Sequence, residues 1–379
     1  MIDTNNYENE IILLLSKAEL TDDEVDKLTK LITTHMDWGR VIGLMKVHKV
    51  LANAWVLLNK YILCGEYLKF SFSDLKRITE LEYKIQREIA KEQLNYMLEF
   101  TTALDKYGIT YALLKGLPLS QYAYGDIALR LSGDCDILVR SSDIQKVLLA
   151  LQEVGYIQGK FDYATRNIKI ASRKEIITQP IISHEIHPLI KTVNEKFINY
   201  YQVDVQFSID LMSNNRTDKI VEELLENRQI INIHGHDFNT LSWEDMLIFL
   251  CIHLFKEAIY KDEVFDYKDL VLYKFNDIYR VVISKQINID WKIFKEKVER
   301  YKVNKEVYYS LYYVNELYHH TVPKEVLECF KPADTKYLNQ ILNISDVIYE
   351  WKDNIISRLL DSNRPAKMQL LFDDGGSIK

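Results

Sequence analysis

Near Lys106 the apolar rhythm of this chain changes, and the change rules out any fold built from one kind of secondary structure. From about residue 8 to residue 100, apolar side chains recur at helical spacing, as in Ile11, Leu14 and Leu15 and again in Leu28, Leu31 and Ile32. Thr21 followed by Asp22, Asp23 and Glu24 marks a helix start. Ser73 to Leu104 reads as one long helix whose polar face, Lys76, Lys84, Arg87 and Glu92, is solvated surface. Beyond Tyr107-Gly108 the run Ile109 to Leu114 is β-branched and aromatic and therefore a strand. A short helix follows over Ser120 to Tyr124, then a second strand over Asp134 to Val139 and a helix from Ser141-Ser142 to Val154. Extended segments are expected at Ile168 to Ala171 and Gln202 to Ser208. Helical spacing then returns, interrupted by a hairpin at Ile230 to Thr240 that turns at His234-Gly235-His236.

The 379 residues suffice for two or three structural units. The rhythm divides them into a helical domain over 1–99, an α/β core over 100–212 and a second helical domain over 213–379, an α+β architecture. With 48 Lys and Arg against 55 Asp and Glu the formal charge is −7, which excludes general coating of nucleic acid. The four cysteines stand singly, without disulfide or zinc spacing. The N-terminus has no signal pattern, and no apolar run is long enough to span a membrane, so a reducing cytoplasm is expected.

Chemistry concentrates in the α/β core. Side chains alternate along a strand, so Asp134 and Asp136 share a face while Cys135, Ile137 and Val139 point into the interior. Like charges held so close repel unless a cation lies between them, and an oxygen-only ligand set suits Mg²⁺. Asp204, in phase with Gln206 and Ser208, is the expected third ligand, with Asp210 and Glu185 as rivals. Three carboxylates on adjacent strands hold two divalent ions for an in-line phosphoryl displacement, which makes them the candidate catalytic groups. Lys115-Gly116 at a strand end offers a cation and a glycine backbone N–H to phosphate. His184 and His187 lead into Pro188 with no third soft ligand, so zinc is not expected. One of them could instead line the site.

Leu113-Leu114-Lys115-Gly116, then Arg130, then Asp134-Cys135-Asp136-Ile137-Leu138-Val139 resembles the nucleotidyltransferase superfamily with a polymerase-β-like core, and more narrowly the bacterial uncharacterised nucleotidyltransferase family. The segments around His253 and Asp277 look like that family's downstream helices. The third acid departs from the pattern: the family's acid-x-His-Trp reads here as Asp204-Val205-Gln206-Phe207.

The resemblance implies a mixed-sheet core between helical flanks, an NTP as co-substrate and a role for Arg130 in positioning phosphate or bracing the carboxylates. It also implies nucleotide contacts from His253 or Lys256 on a covering helix. Asp277 and Arg280 are placed to pair with each other, and Lys274 to Lys305 reads as a solvated basic face rather than an RNA track. The acceptor is expected to be a small molecule or peptide of a biosynthetic pathway rather than RNA. The alternatives are a toxin-like enzyme that modifies tRNA ends and a catalytically silent nucleotide-binding or scaffold protein. The preferred base and the oligomeric state are open.

Overall fold

The structure is a computed structural model, and it describes residues 4–64, 69–209, 218–343 and 346–367. Asp210 and the tail at Asp373 to Ser377 lie outside the described residues. The fold is mixed α/β. Contacts divide the chain into two compact units, one taking in residues 1–83, 250–283 and 298–379, the other residues 84–249 and 284–297. The division therefore runs within the helices Asp74–Lys106 and Trp243–Ile259 rather than at residues 99/100 and 212/213.

In the first unit the Asp22–Ile32 helix starts with a full capping box, in which the Thr21 hydroxyl accepts from the Glu24 amide while the Glu24 carboxylate accepts from the Thr21 amide. It buries Leu28, Leu31 and Ile32. Arg280 is buried and donates to the Lys17 carbonyl at 3.1 Å and to Asn53 Oδ1. Its guanidinium thus serves partners far from it in sequence, beyond the local pair expected with Asp277. A hairpin of Gln340–Asn343 and Asp346–Glu350, hidden in a stretch that reads as helical, packs Ile341 and Trp351 against Val264.

The second unit is built on an eight-stranded sheet: β1 (Tyr111–Leu113), β2 (Cys135–Val139), β3 (Ile157–Asp162), β4 (Asn167–Ile170), β5 (Leu189–Thr192), β6 (Tyr200–Gln206), β7 (Gln229–Ile233) and β8 (His236–Thr240). Their order is β4-β3-β5-β6-β2-β1-β8-β7. β2 pairs antiparallel with β1 and parallel with β6, so the sheet is mixed. Every residue of β1 and β2 is buried, as expected of central strands covered on both faces. The β7–β8 hairpin turns where positive φ at His234 (50°) and Gly235 (89°) suits a type I′ turn.

β3, β5 and the helix Arg173–Ile182 carry little sequence signal. That helix has a capping box from Ser172 and Glu175, an internal Pro180 and no buried residue, so no apolar stripe announces it. No single helix among the described residues is long and apolar enough to cross a membrane. The bent pair Trp38–Val47 and Leu51–Ile62 passes that test only jointly.

Candidate active site

The expected acids gather where β1, β2 and β6 lie side by side. Parallel pairing sets Asp136 directly opposite Asp204, and Asp134 stands just before β2 begins. The Leu114 amide donates to the Asp136 carbonyl at 3.1 Å, which anchors the end of β1 beside the acid. Lys115 follows, its Nζ 3.2 Å from Asp136 Oδ2. Gly116 then takes φ 76° and ψ −130°, a conformation that side-chain-bearing residues rarely adopt. A Cβ there would meet only Ser132 Oγ, at 3.5 Å, so the backbone angle and not crowding requires glycine.

Neighbouring polar groups hold the acids in place. Gln206 Nε2 donates to Asp136 Oδ1 at 3.2 Å, and Gln202 Nε2 donates to both oxygens of Asp204 at 3.0 Å. Ser132 Oγ donates to the Asp134 carbonyl at 2.7 Å, and Gln93 Nε2 to the Ser132 carbonyl at 2.7 Å, so the loop before β2 is tied to the long helix. Glu92, expected on a solvated face, accepts the backbone amides of Lys196, Phe197 and Ile198 at 3.1 to 3.2 Å and fixes the approach to β6. The period-2 rule finds Gln202 and Gln206 on the acid face, but no sequence signal ties Glu92 to residues a hundred positions away.

Asp136 is only 4% exposed. Burial pushes its carboxyl up to about 7, against the pull of Lys115 and with further repulsion from Asp134 and Glu185. Burial likewise raises Asp204 well above the carboxylate range, and the charges of Asp136 and Asp134 add to it while Gln202 opposes. On the other face burial pushes the Cys135 thiol up, which makes it packing rather than a nucleophile.

Glu185 bridges β6 at Gln206 and stands close enough for its charge to act on both Asp136 and Asp204, so this rival joins the cluster beside Asp204 instead of replacing it. Such a set of oxygens, raised by burial and mutual repulsion, has the chemistry of a divalent-cation site. Asp136 Oδ2 has the lysine nearby but no well-aligned hydrogen bond. Among the described residues no three His, Cys, Asp or Glu side chains converge at ligand distance; Lys115 and the two glutamines stand against the carboxylates.

Arg130 is buried at the end of the segment leading to Ser132, and its carbonyl accepts from Ser120 Oγ at 3.4 Å. His184 and His187 are buried; the His184 carbonyl accepts the Phe207 amide at 3.0 Å, which aligns this segment with the end of β6. His253 and Lys256 fall in the other unit, where His253 Nδ1 lies 3.0 Å from Glu257, itself ion-paired with Lys274. Their surroundings add nothing to the nucleotide role expected of them. Lys274 is accordingly a buried partner and not part of a solvated basic face.

A family model described as uncharacterised nucleotidyltransferase matches residues 34–319. No curated protein and no solved structure matches the chain.

Proposed function

Because the chain belongs to the uncharacterised nucleotidyltransferase family, we propose that it moves a nucleoside monophosphate from an NTP to an acceptor hydroxyl in a Mg²⁺-dependent reaction, on a polymerase-β-like core formed around β1, β2 and β6. The observation that carries this reading is the register of β2 and β6, which sets Asp136 beside Asp204 with Asp134 one step away.

Asp134, Asp136 and Asp204 would hold the metal, and bound Mg²⁺ supplies charge neutralisation on the phosphates and acidifies the attacking hydroxyl. The acceptor oxygen attacks the α-phosphorus, the bond from that phosphorus to the bridging oxygen breaks, and pyrophosphate leaves. Asp204 takes the hydroxyl proton. Lys115, now paired with Asp136, neutralises the departing pyrophosphate, while Gly116 brings a backbone N–H to it without a side chain in the way. Gln206 occupies the position of the family's histidine and orients Asp136 by a neutral hydrogen bond, so the departure from the motif keeps a donor on the acid. Catalysis by this arrangement is positioning and charge compensation, with no covalent enzyme intermediate. A small-molecule or peptide acceptor accords with the net charge of −7.

Calorimetric titration with non-hydrolysable analogues of the four NTPs, with and without Mg²⁺, tests the site without knowledge of the acceptor. Wild type is expected to bind one or more nucleotides only with Mg²⁺, and Asp134→Ala/Asp136→Ala to lose that binding. Equal binding by the double variant would remove the acids from the nucleotide site and leave a catalytically silent fold.

A further inference from the structure

The row of side chains on the acid face of β6 continues past Asp204 and Gln202 to Tyr200, and there it meets two further aromatic rings. Phe161 of β3 stacks on Tyr200 with centroids 4.6 Å apart and planes 21° from parallel. Tyr163 stands edge-on to both, at 5.2 Å from Phe161 and 6.1 Å from Tyr200, and its hydroxyl lies 3.1 Å from that of Tyr200. The Tyr200 phenol is pushed up to about 12 by burial and by Tyr163, and the charges of Asp134 and Asp204 add to the shift, so the cluster stands within the field of the acids.

The hairpin of β3 and β4 that carries Phe161 and Tyr163 is built to hold them. β3 pairs with β5 at Ile157 and Gln158, the Gly159 amide still donates to the Pro188 carbonyl at 3.1 Å, and from Lys160 onward the strand pairs with β4. At Gly159 a Cβ would lie 2.5 Å from the Lys169 carbonyl oxygen and 2.8 Å from Ile168 Cγ2, so only glycine permits this close approach. At the tip, Asp162 Oδ1 accepts the Ala164 amide at 2.9 Å and Asp162 Oδ2 the Thr165 hydroxyl at 3.0 Å, which fixes the turn that presents Tyr163. Tyr163 is nevertheless 71% exposed, so folding gains little from its ring.

Charge distribution narrows the ligand. Cross-strand pairing sets Ile168 opposite Phe161 and Ile170 opposite Gly159 on the aromatic face, while Lys160 and Lys169, paired with each other, take the opposite face. The aromatic face is thus uncharged, which suits a planar apolar group and not a phosphate backbone. Position narrows it further. Lys115 and Gly116 flank the acids on the β1 side, and the aromatic cluster lies on the β6 side of the same row. An in-line displacement separates the leaving pyrophosphate from the attacking group across the phosphorus.

On the nucleotidyl-transfer reading above, we propose that Phe161, Tyr163 and Tyr200 form the acceptor subsite and bind a planar aromatic ring of a small hydroxyl-bearing acceptor. The test uses 2-naphthol as the probe, titrated by its fluorescence against the full chain, beside its saturated counterpart decahydro-2-naphthol followed by calorimetry. Tyr163→Ala and Phe161→Ala are expected to weaken 2-naphthol binding about tenfold, the scale of one lost ring contact, and Tyr163→Phe to keep it within about twofold. The saturated probe is expected to bind at least about tenfold more weakly than 2-naphthol. Mg²⁺-dependent NTP binding should be unchanged in all three variants.

Failure of the wild type to bind 2-naphthol, unchanged affinity in Tyr163→Ala, or equal binding of the saturated probe overturns the subsite and leaves nucleotidyl transfer standing. Salt-sensitive tRNA binding that Tyr163→Ala abolishes overturns it in favour of a nucleic-acid acceptor. If the wild type binds no NTP, the acceptor role falls together with the transferase reading, whatever the rings bind.

Discussion

A buried carboxylate, Asp136, beside a half-buried one, Asp204, is a stability cost that only a cation or a proton relieves, and this sets the pH behaviour of Asp136. Its carboxyl stands at about 7 in the fold against 3.8 in an unfolded chain. Between those values the folded protein keeps a proton that the unfolded chain has released, so metal-free stability falls as pH rises through the window. Asp136→Asn removes the charge and keeps the shape. At pH 8 without metal the variant is expected to be more stable than wild type by on the order of 2 kcal/mol, a gain that fades toward pH 4, while Mg²⁺-dependent nucleotide binding is lost. Urea denaturation at pH 5 and pH 8 checks it, and a variant less stable at pH 8 would show that the Lys115 ion pair outweighs desolvation. The shared face of Asp134 and Asp136 follows from strand alternation, a local rule, whereas the register that sets Asp204 opposite Asp136 is not written in spacing. Gln202 was legible as a neighbour on the same face, but its grip on Asp204 depends on side-chain geometry that no spacing encodes.

At the level of elements, local signals found β1, β2, β4, β6 and the β7–β8 hairpin and missed β3 and β5. Gly159 in the middle of β3 reads as a breaker, although it is required by the approach of the Lys169 carbonyl. The Glu92 contact shows the same limit at longer range: one carboxylate on the long helix serves three consecutive amides just before the strand that carries Asp204. Glu92→Ala is expected to destabilise the fold by about 1–2 kcal/mol, since water replaces part of what these amides lose. It should also weaken Mg²⁺-dependent NTP binding, because the entry to β6 loosens. Glu92→Gln retains one acceptor oxygen and should fall between. Thermal denaturation together with nucleotide calorimetry reads both effects, and a lower melting temperature with unchanged NTP affinity would separate this loop from the site.

At the scale of the whole molecule, His48 of the first unit and Asp136 of the second are buried titrating groups with opposite pH dependence. In the first, His48 is buried and its Nδ1 accepts the Leu272 amide at 3.1 Å. Burial, and then the guanidinium of Arg364, lower it to about 3 from 6.5. Arg364 is itself fixed by Asp269 through bonds of 2.9 and 2.8 Å, so its charge stays in place as pH changes. A depressed histidine is neutral in the fold, and its contribution is complete above pH 6.5 and lost as pH falls toward 3. In the metal-free second unit Asp136 has the reverse slope and gains stability as pH falls through 7. Glu263 and Glu306 of the first unit are also raised by burial, so the comparison that isolates His48 is with His48→Gln, which keeps an acceptor for Leu272 and does not titrate. Native-state hydrogen exchange at core amides of each unit between pH 7 and pH 5 reads the two separately. In the first unit the advantage of wild type over His48→Gln is expected to shrink by up to about 1.4 kcal/mol per pH unit below 6.5, while second-unit amides are indifferent to the substitution. A wild-type advantage that stays constant across that range would mean that His48 takes up its proton in the fold as readily as in the open chain, and that the charge of Arg364 does not reach it.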